Sequence, residues 1–183
     1  MSLVRFATAQ ALFETFPELS KKISARPSEQ FPLKFLQTLM AAGKIEDAVT
    51  FCAYLLPRRE AVWWACRCAR TPLGKIAEER ATALLAAEAW VKEPDDERRQ
   101  AALELGTSGD CDDPLTWVAL AAGWSGGFLV SGPQRSIPMP QYMTARAART
   151  AILISALSVN RDQRPAYLQA CVADGTRLAE EGS

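Results

Sequence analysis

Apolar residues recur at spacings of three and four along most of the chain, the pattern of helices that bury one face. Leu33, Leu36, Leu39 and Met40 form one stripe that stops at Gly43, and Ile45, Ala48, Val49, Cys52 and Leu56 form a facing stripe that ends at Pro57. The short break between them predicts an antiparallel helical hairpin. Pro57 falls where a first helical turn tolerates a missing N–H, so a helix is expected over residues 58–70, with Ala61, Trp64, Ala65, Cys68 and Ala69 inward and Thr71-Pro72 as its end. Residues 75–92 follow, with Ile76, Ala83, Leu84, Ala87, Trp90 and Val91 inside and Glu78, Glu79, Arg80 and Glu88 mostly outside. Pro94-Asp95-Asp96-Glu97 places negative charge where the macrodipole of the next helix favours it, and Gly106 is expected to end that helix. Asp113-Pro114 pairs an N-cap with a first-turn proline and opens a helix through about Ala122. Residues 144–159 are apolar on most faces from Ala147 onward and predict a central buried helix. Residues 165–181 close the chain with Tyr167, Leu168, Cys171, Val172 and Leu178 inward, and residues 7–16 open it with a helix ended by Pro17, followed by a short turn over 18–24.

The periodicity breaks at residues 123–141, GWSGGFLVSGPQRSIPMPQ, where four glycines and three prolines disfavour regular structure. Trp124, Phe128, Leu129, Ile137 and Met139 make this segment too apolar for a solvated linker, so an ordered loop lying across the helices is expected. Alanine fills 31 of the 183 positions, which reinforces the helical reading. The expected fold is therefore all-α: one domain over residues 1–183, an irregular bundle of roughly seven to nine helices built from antiparallel hairpins, with one long Gly/Pro-rich loop.

The chemistry left open is narrow. The chain has no histidine, which removes the commonest general base and every Ser-His or Cys-His dyad. Its 21 basic and 21 acidic residues balance, so no long-range field attracts nucleic acid or an anionic membrane. The five cysteines lack CxxC spacing and the first twenty residues lack the zones of a secretory signal, which points to a reducing cytoplasm. The longest uncharged run, residues 114–134, holds four glycines and two prolines and does not read as a membrane span. No cofactor and no metal site is expected.

Individual motifs read more readily as structure than as chemistry. Gly123-Trp124-Ser125-Gly126-Gly127 matches GxSxG, but a helix precedes it and no base is available to the serine; a helix C-cap and turn explain it. Asp110-Cys111-Asp112-Asp113 lacks the glycine and distal glutamate of a calcium loop, and capping at Asp113 accounts for it. Cys66 and Cys68 are two apart on a helix and point to nearly opposite sides, so they cannot ligate one metal; Cys68 reads as core packing, and a catalytic cysteine would have only Arg67 and Arg70 nearby. Gly43-Lys44-Ile45-Glu46-Asp47-Ala48 resembles the middle of a tetratricopeptide unit, without a second copy at the required period, and so marks one helical hairpin. The most unusual cluster is Arg58-Arg59-Glu60 with Trp63-Trp64: Arg59 and Trp63, one turn apart, predict an exposed cation–aromatic surface, while Trp64 turns to the core.

Leu56-Pro57-Arg58-Arg59-Glu60-Ala61-Val62-Trp63-Trp64-Ala65-Cys66, Trp124-Ser125-Gly126-Gly127 and Thr144-Ala145-Arg146-Ala147 together resemble an uncharacterised all-helical bacterial family associated with type VI secretion gene clusters. Relative to that family the loop here is poorer in proline. The resemblance implies a cytoplasmic accessory protein, an adaptor or chaperone for a secretion spike, sheath or effector component, and supplies no enzymatic activity. The leading expectation is thus a non-enzymatic adaptor whose partner-binding surface comprises Arg59, Trp63, Trp124 and Phe128. Two alternatives stay open. A small enzyme or ligand-binding protein would place a pocket under residues 123–141, with Arg146, Arg149 and a carboxylate converging on it. A toxin-blocking immunity protein would expose acidic patches at residues 93–97 and 110–113.

Overall fold

A computed structural model describes residues 2–74, 78–130 and 136–181. Among the described residues nine helices run in the order α1 (Ala9–Thr15), α2 (Pro32–Ala41), α3 (Ile45–Leu55), α4 (Arg58–Leu73), α5 (Glu78–Lys92), α6 (Asp96–Ser108), α7 (Pro114–Gly123), α8 (Tyr142–Ser155) and α9 (Arg164–Glu181), with 3-10 turns at Pro17–Lys21 and Ala156–Ser158. The fold is an all-α bundle, and a single hydrophobic cluster extends from Ala9 in α1 to Ala179 in α9. Side-chain caps start three helices: Thr8 accepts from the Ala11 N–H, Asp95 from that of Arg98 and Asp113 from that of Leu115. Lys75 and Ile76 lie outside the described residues, as do the side chains of Glu78, Glu79, Arg80 and Leu129.

Two sets of contacts fix the outer helices. Phe13, Phe35 and Phe51 meet at the junction of α1, α2 and α3, with Phe35 and Phe51 centroids 4.9 Å apart, and Phe16 sits edge-on to Tyr54 at 5.3 Å. On the other side α9 is tied to α4 by buried hydrogen bonds. The Trp64 Nε1–H donates to the Cys171 carbonyl at 2.7 Å and the Tyr167 hydroxyl to the Cys68 carbonyl at 3.0 Å. Trp64 is fully buried, as its helical phase predicts.

The central helix is α7, whereas the sequence pattern favours residues 144–159 for that place. α7 packs against α4, α5, α6 and α8, and every residue in it except Trp117 is buried. It carries no charged side chain, so nothing requires it to reach solvent; α8 keeps Arg146, Arg149 and Thr150 on its outer side and buries one face. The α6–α7 contact depends on two glycines. A Cβ on Gly106 would lie 2.7 Å from Leu120 Cγ, and one on Gly123 would lie 2.6 Å from Leu103 Cα. Gly106 therefore sits inside α6, which runs on to Ser108, and does not terminate it. Helix α4 likewise continues through Thr71-Pro72 to Leu73 and stops at Gly74, whose φ is +56°.

Residues 123–141 depart from the expected loop. Phe128–Val130 (β1) and Ser136–Pro138 (β2) pair antiparallel, Phe128 opposite Pro138 and Leu129 opposite Ile137. Among the described residues the strands pair chiefly with each other and Phe128 and Ile137 are exposed, so this part of the ribbon stands off the bundle instead of lying across it. The apolar alternation that made the segment unsuitable for a linker is the alternation of a two-sided strand pair.

Gly123→Ala forces a methyl group against the Leu103 backbone, which cannot swing aside. The substitution is expected to lower the unfolding free energy by about 1–3 kcal/mol while preserving the helical circular dichroism spectrum, measured by urea titration.

Candidate functional site

Three arginines tie the starts of α4 and α6 to the ends of α5 and α7. The last carbonyls of a helix lack intrahelical donors and carry the negative end of its dipole. At the end of α7 the Arg99 Nη1–H donates to the Gly123 carbonyl at 2.9 Å, and Arg58 Nη1–H donates to the Ser125 carbonyl at 2.6 Å. At the end of α5 the Arg59 Nε–H donates to the Val91 carbonyl at 2.7 Å. Consecutive arginines at the start of α4 thus clamp two different helix C-termini. Arg99 is only 6% exposed and is oriented by Asp96, whose Oδ1 accepts from its Nε–H at 2.8 Å.

This clamp explains the Trp-Ser-Gly-Gly turn. Ser125 is buried and its N–H closes back on the Ala122 carbonyl at 3.0 Å, so its hydroxyl is not presented as a nucleophile. Gly127 has φ +78°, and a Cβ there would lie 3.0 Å from the Arg99 guanidinium carbon. The Gly127 carbonyl then accepts from the Met139 N–H at 2.9 Å and pins the base of the ribbon. The motif seats an arginine under a hairpin.

The four candidate partner-binding residues fall into two pairs at this end. Arg59 and Trp63 border an open groove of about 430 Å³ with Glu60, Glu88, Val91 and Lys92. The expected Arg59–Trp63 stack is not formed: Arg59 reaches across to α5, and the cation over the Trp63 ring is Arg67, 5.9 Å from its centroid. Trp124 is half-buried, edge-on to Trp117 at 6.4 Å, at the root of the ribbon. Phe128, on the ribbon itself, is 63% exposed, and Ile137 is 49% exposed. Sequence reasoning assigned no role to Ile137; the alternation Phe128, Ile137 across a hairpin was the available signal.

Residues behind the rival readings are partly neutralised: the stretch at 93–97 is paired with arginines, while Asp110 and Asp112 are exposed. The Arg149 Nε–H donates to Thr50 Oγ1 at 2.7 Å, and Arg146 lines a cavity with Glu18, Lys21, Lys22, Tyr54 and Tyr142; the charges of Arg146, Arg149 and Glu18 all act on Tyr54 and Lys22, so the expected arginine–carboxylate grouping forms beside the start of α8. Within the acidic stretches, Arg98 bridges Asp95 and Glu93, the latter at 2.8 Å, and Asp96 is paired with Arg99. The Arg98 backbone N–H, with its guanidinium, holds the Asp95 carboxyl below the usual carboxylate range. Among the described residues no three His, Cys, Asp or Glu side chains converge as a metal site would require, and no helix is long and apolar enough to cross a membrane.

Four of the five thiols are buried, Cys66 as well as Cys68, and all five are free. Burial pushes the Cys52 and Cys66 thiols up, and a hydrogen bond with Cys171 together with burial raises Cys68. These are the surroundings of inert core thiols for Cys52, Cys66 and Cys68, whereas the hydrogen bond with Cys68 lowers Cys171 against the opposing effect of burial.

The architecture is thus a helical bundle with a clamped end bearing a projecting ribbon. The chain belongs to the family of unknown function DUF6931, whose model matches residues 35–179. No curated protein and no solved structure matches it.

Two outcomes follow from the clamp and the thiols. Arg99→Met leaves the Gly123 carbonyl without its charged donor and is expected to cost about 2–3 kcal/mol of stability in urea unfolding, with little recovery in Arg99→Lys, which lacks the fork geometry. Dithionitrobenzoate should titrate the exposed Cys111 alone in the native protein and all five thiols after denaturation.

Proposed function

We propose that this chain is a non-catalytic adaptor that captures a protein partner with its projecting ribbon. The carrying observation is the pairing of exposure with register. Residues alternate sides along a strand, and Phe128 pairs with Pro138 while Ile137 pairs with Leu129, so Phe128 and Ile137 face opposite sides of the ribbon. Both are exposed, which leaves an apolar side chain on each face. A lone two-stranded hairpin is marginal in water, and insertion into a partner's groove would cover both faces at once. The groove beside Trp63 supplies a second contact at the same end of the bundle. Rigid anchoring of the ribbon root by Arg58, Arg99 and Met139 limits the ordering cost of such binding.

The absence of histidine and the buried thiols favour binding over catalysis. The resemblance of the Pro-Arg-Arg-Glu and Trp-Ser-Gly-Gly stretches to proteins of type VI secretion clusters suggests a cytoplasmic accessory role, with a spike, sheath or effector component as the partner.

The test compares tagged full-length protein with the double variant Phe128→Ser, Ile137→Ser, each expressed in its own bacterial cytoplasm and analysed by mass spectrometry after affinity capture. Recovery of the specific partner should fall about tenfold or more in the variant, with unchanged melting temperature, and by less in Trp63→Ala. Equal recovery removes the ribbon as the binding surface. A secretion component as the ribbon-dependent partner supports the accessory role, a toxin alone would indicate immunity, and no enriched partner in either sample would overturn the adaptor reading.

A further inference from the structure

Beside the clamp lies a cavity of about 320 Å³ lined by Arg5, Arg58, Tyr54, Gln141, Thr144 and apolar side chains that include Phe16. Its charge is unbalanced. Two guanidinium groups line it and no carboxylate does, and neither Arg5 nor Arg58 forms an ion pair among the described residues. Burial and then the charge of Arg5 lower the pKa of Arg58, the sign of a cation crowded by a like charge.

The cavity also meets the start of α8, a 14-residue helix. Gln141, Thr144 and Ala145 belong to its cap and first turn, and no side chain caps it, so its positive dipole end faces the same space. Independently, Thr144 and Tyr54 are each 1% exposed, and the hydroxyl oxygen of each is buried without a hydrogen-bond partner. Buried hydroxyls are nearly always satisfied, so the Thr144 orphan on this cationic wall indicates a ligand that supplies an acceptor, whereas Tyr54 stands on the wall shared with the Glu18 and Arg146 cavity, whose charges act on its hydroxyl. Burial pushes Tyr54 up to about 12, so its hydroxyl stays a donor at neutral pH.

We propose that this cavity is a binding site for a phosphate group, as orthophosphate or as the phosphoryl end of a small phosphomonoester. Arg5 and Arg58 supply charge-assisted bonds, while the Thr144 hydroxyl and the first turn of α8 supply neutral donors. A tetrahedral dianion is the common group that uses two cations and several converging donors at once. The volume exceeds that of orthophosphate alone, and the walls formed by Phe16, Leu56 and Ala61 suit a short carbon skeleton.

Binding is read by isothermal titration and by phosphorus NMR line broadening, with the full-length protein in phosphate-free buffer, using orthophosphate, glycerol 3-phosphate, acetate and chloride as separate probes. Saturable one-to-one binding of orthophosphate or glycerol 3-phosphate is expected, the tighter of the two showing which source fits. Arg5→Gln and Thr144→Val should each weaken it about tenfold or more. Arg5 is exposed, so its variant keeps the test valid if Thr144→Val proves unstable. Equal response to chloride or acetate, no saturable phosphate binding, or unchanged affinity in a folded Arg5→Gln protein would each overturn the proposal.

Discussion

The carbonyls at the C-terminus of α7, which have no donor within the helix, are the constraint around which this end of the molecule is organised. A helix buried on all sides cannot leave its last carbonyls to water, and α7 is such a helix. The chain meets the need with arginines from two other helices, Arg99 from α6 and Arg58 from α4. Each choice has consequences. Placing Arg99 beneath the turn demands glycine at 127, and holding α6 close enough to reach demands glycine at 106 and 123. The ribbon then rises from a turn fixed at both its backbone and its underside.

Most of the bundle is legible in the sequence because most of it obeys the helical period. The stripes at 33–40 and 45–56, the inward phase of Trp64, the acidic start at 95–97 and the cap at Asp113 follow from local rules that tertiary packing reinforces. The misreadings cluster where a residue answers to a distant partner. Gly106 looks like a terminator, but its missing Cβ serves Leu120 on another helix. The helix at 144–159 looks central because of its apolar content, yet its arginines hold one side near the surface, while the shorter, uncharged 114–123 takes the middle. Glycine and proline at 123–141 hid a strand pair, since two three-residue strands lie below the length at which alternation stands out.

The candidate site shows the same division. That Arg58-Arg59 and Trp124-Ser125-Gly126-Gly127 matter could be read from their rarity, and the structure joins them through the Arg58 to Ser125 bond. Their roles could not be read, because adjacent residues on α4 address different helices: Arg58 turns to α7 and Arg59 to α5. A cation–aromatic pair inferred from one-turn spacing formed with the other neighbour one turn away, Arg67, since Arg59 is drawn to the helix end that needs a donor. The cavity was invisible because its residues come from three separated segments: Arg5, the α3–α4 corner with Tyr54 and Arg58, and Thr144.

Helix polarity accounts for why a cationic cavity adjoins the clamp at all. At this end α5 and α7 present negative termini while α4, α6 and α8 present positive ones. Asp95 and Asp96 serve the start of α6, so that terminus is answered locally. The start of α8 has no acidic residue in its first turn and no side-chain cap, and the nearest charged groups on the cavity wall are arginines of the same sign. Arg58 belongs to both structures: its guanidinium bonds the carbonyl beneath the ribbon and also lines the cavity. The donors that satisfy α7 therefore add positive charge on this wall of the α8 terminus, while Glu18 lies on its other side with Tyr142 and Arg146, and this asymmetry is what the proposed anion site rests on.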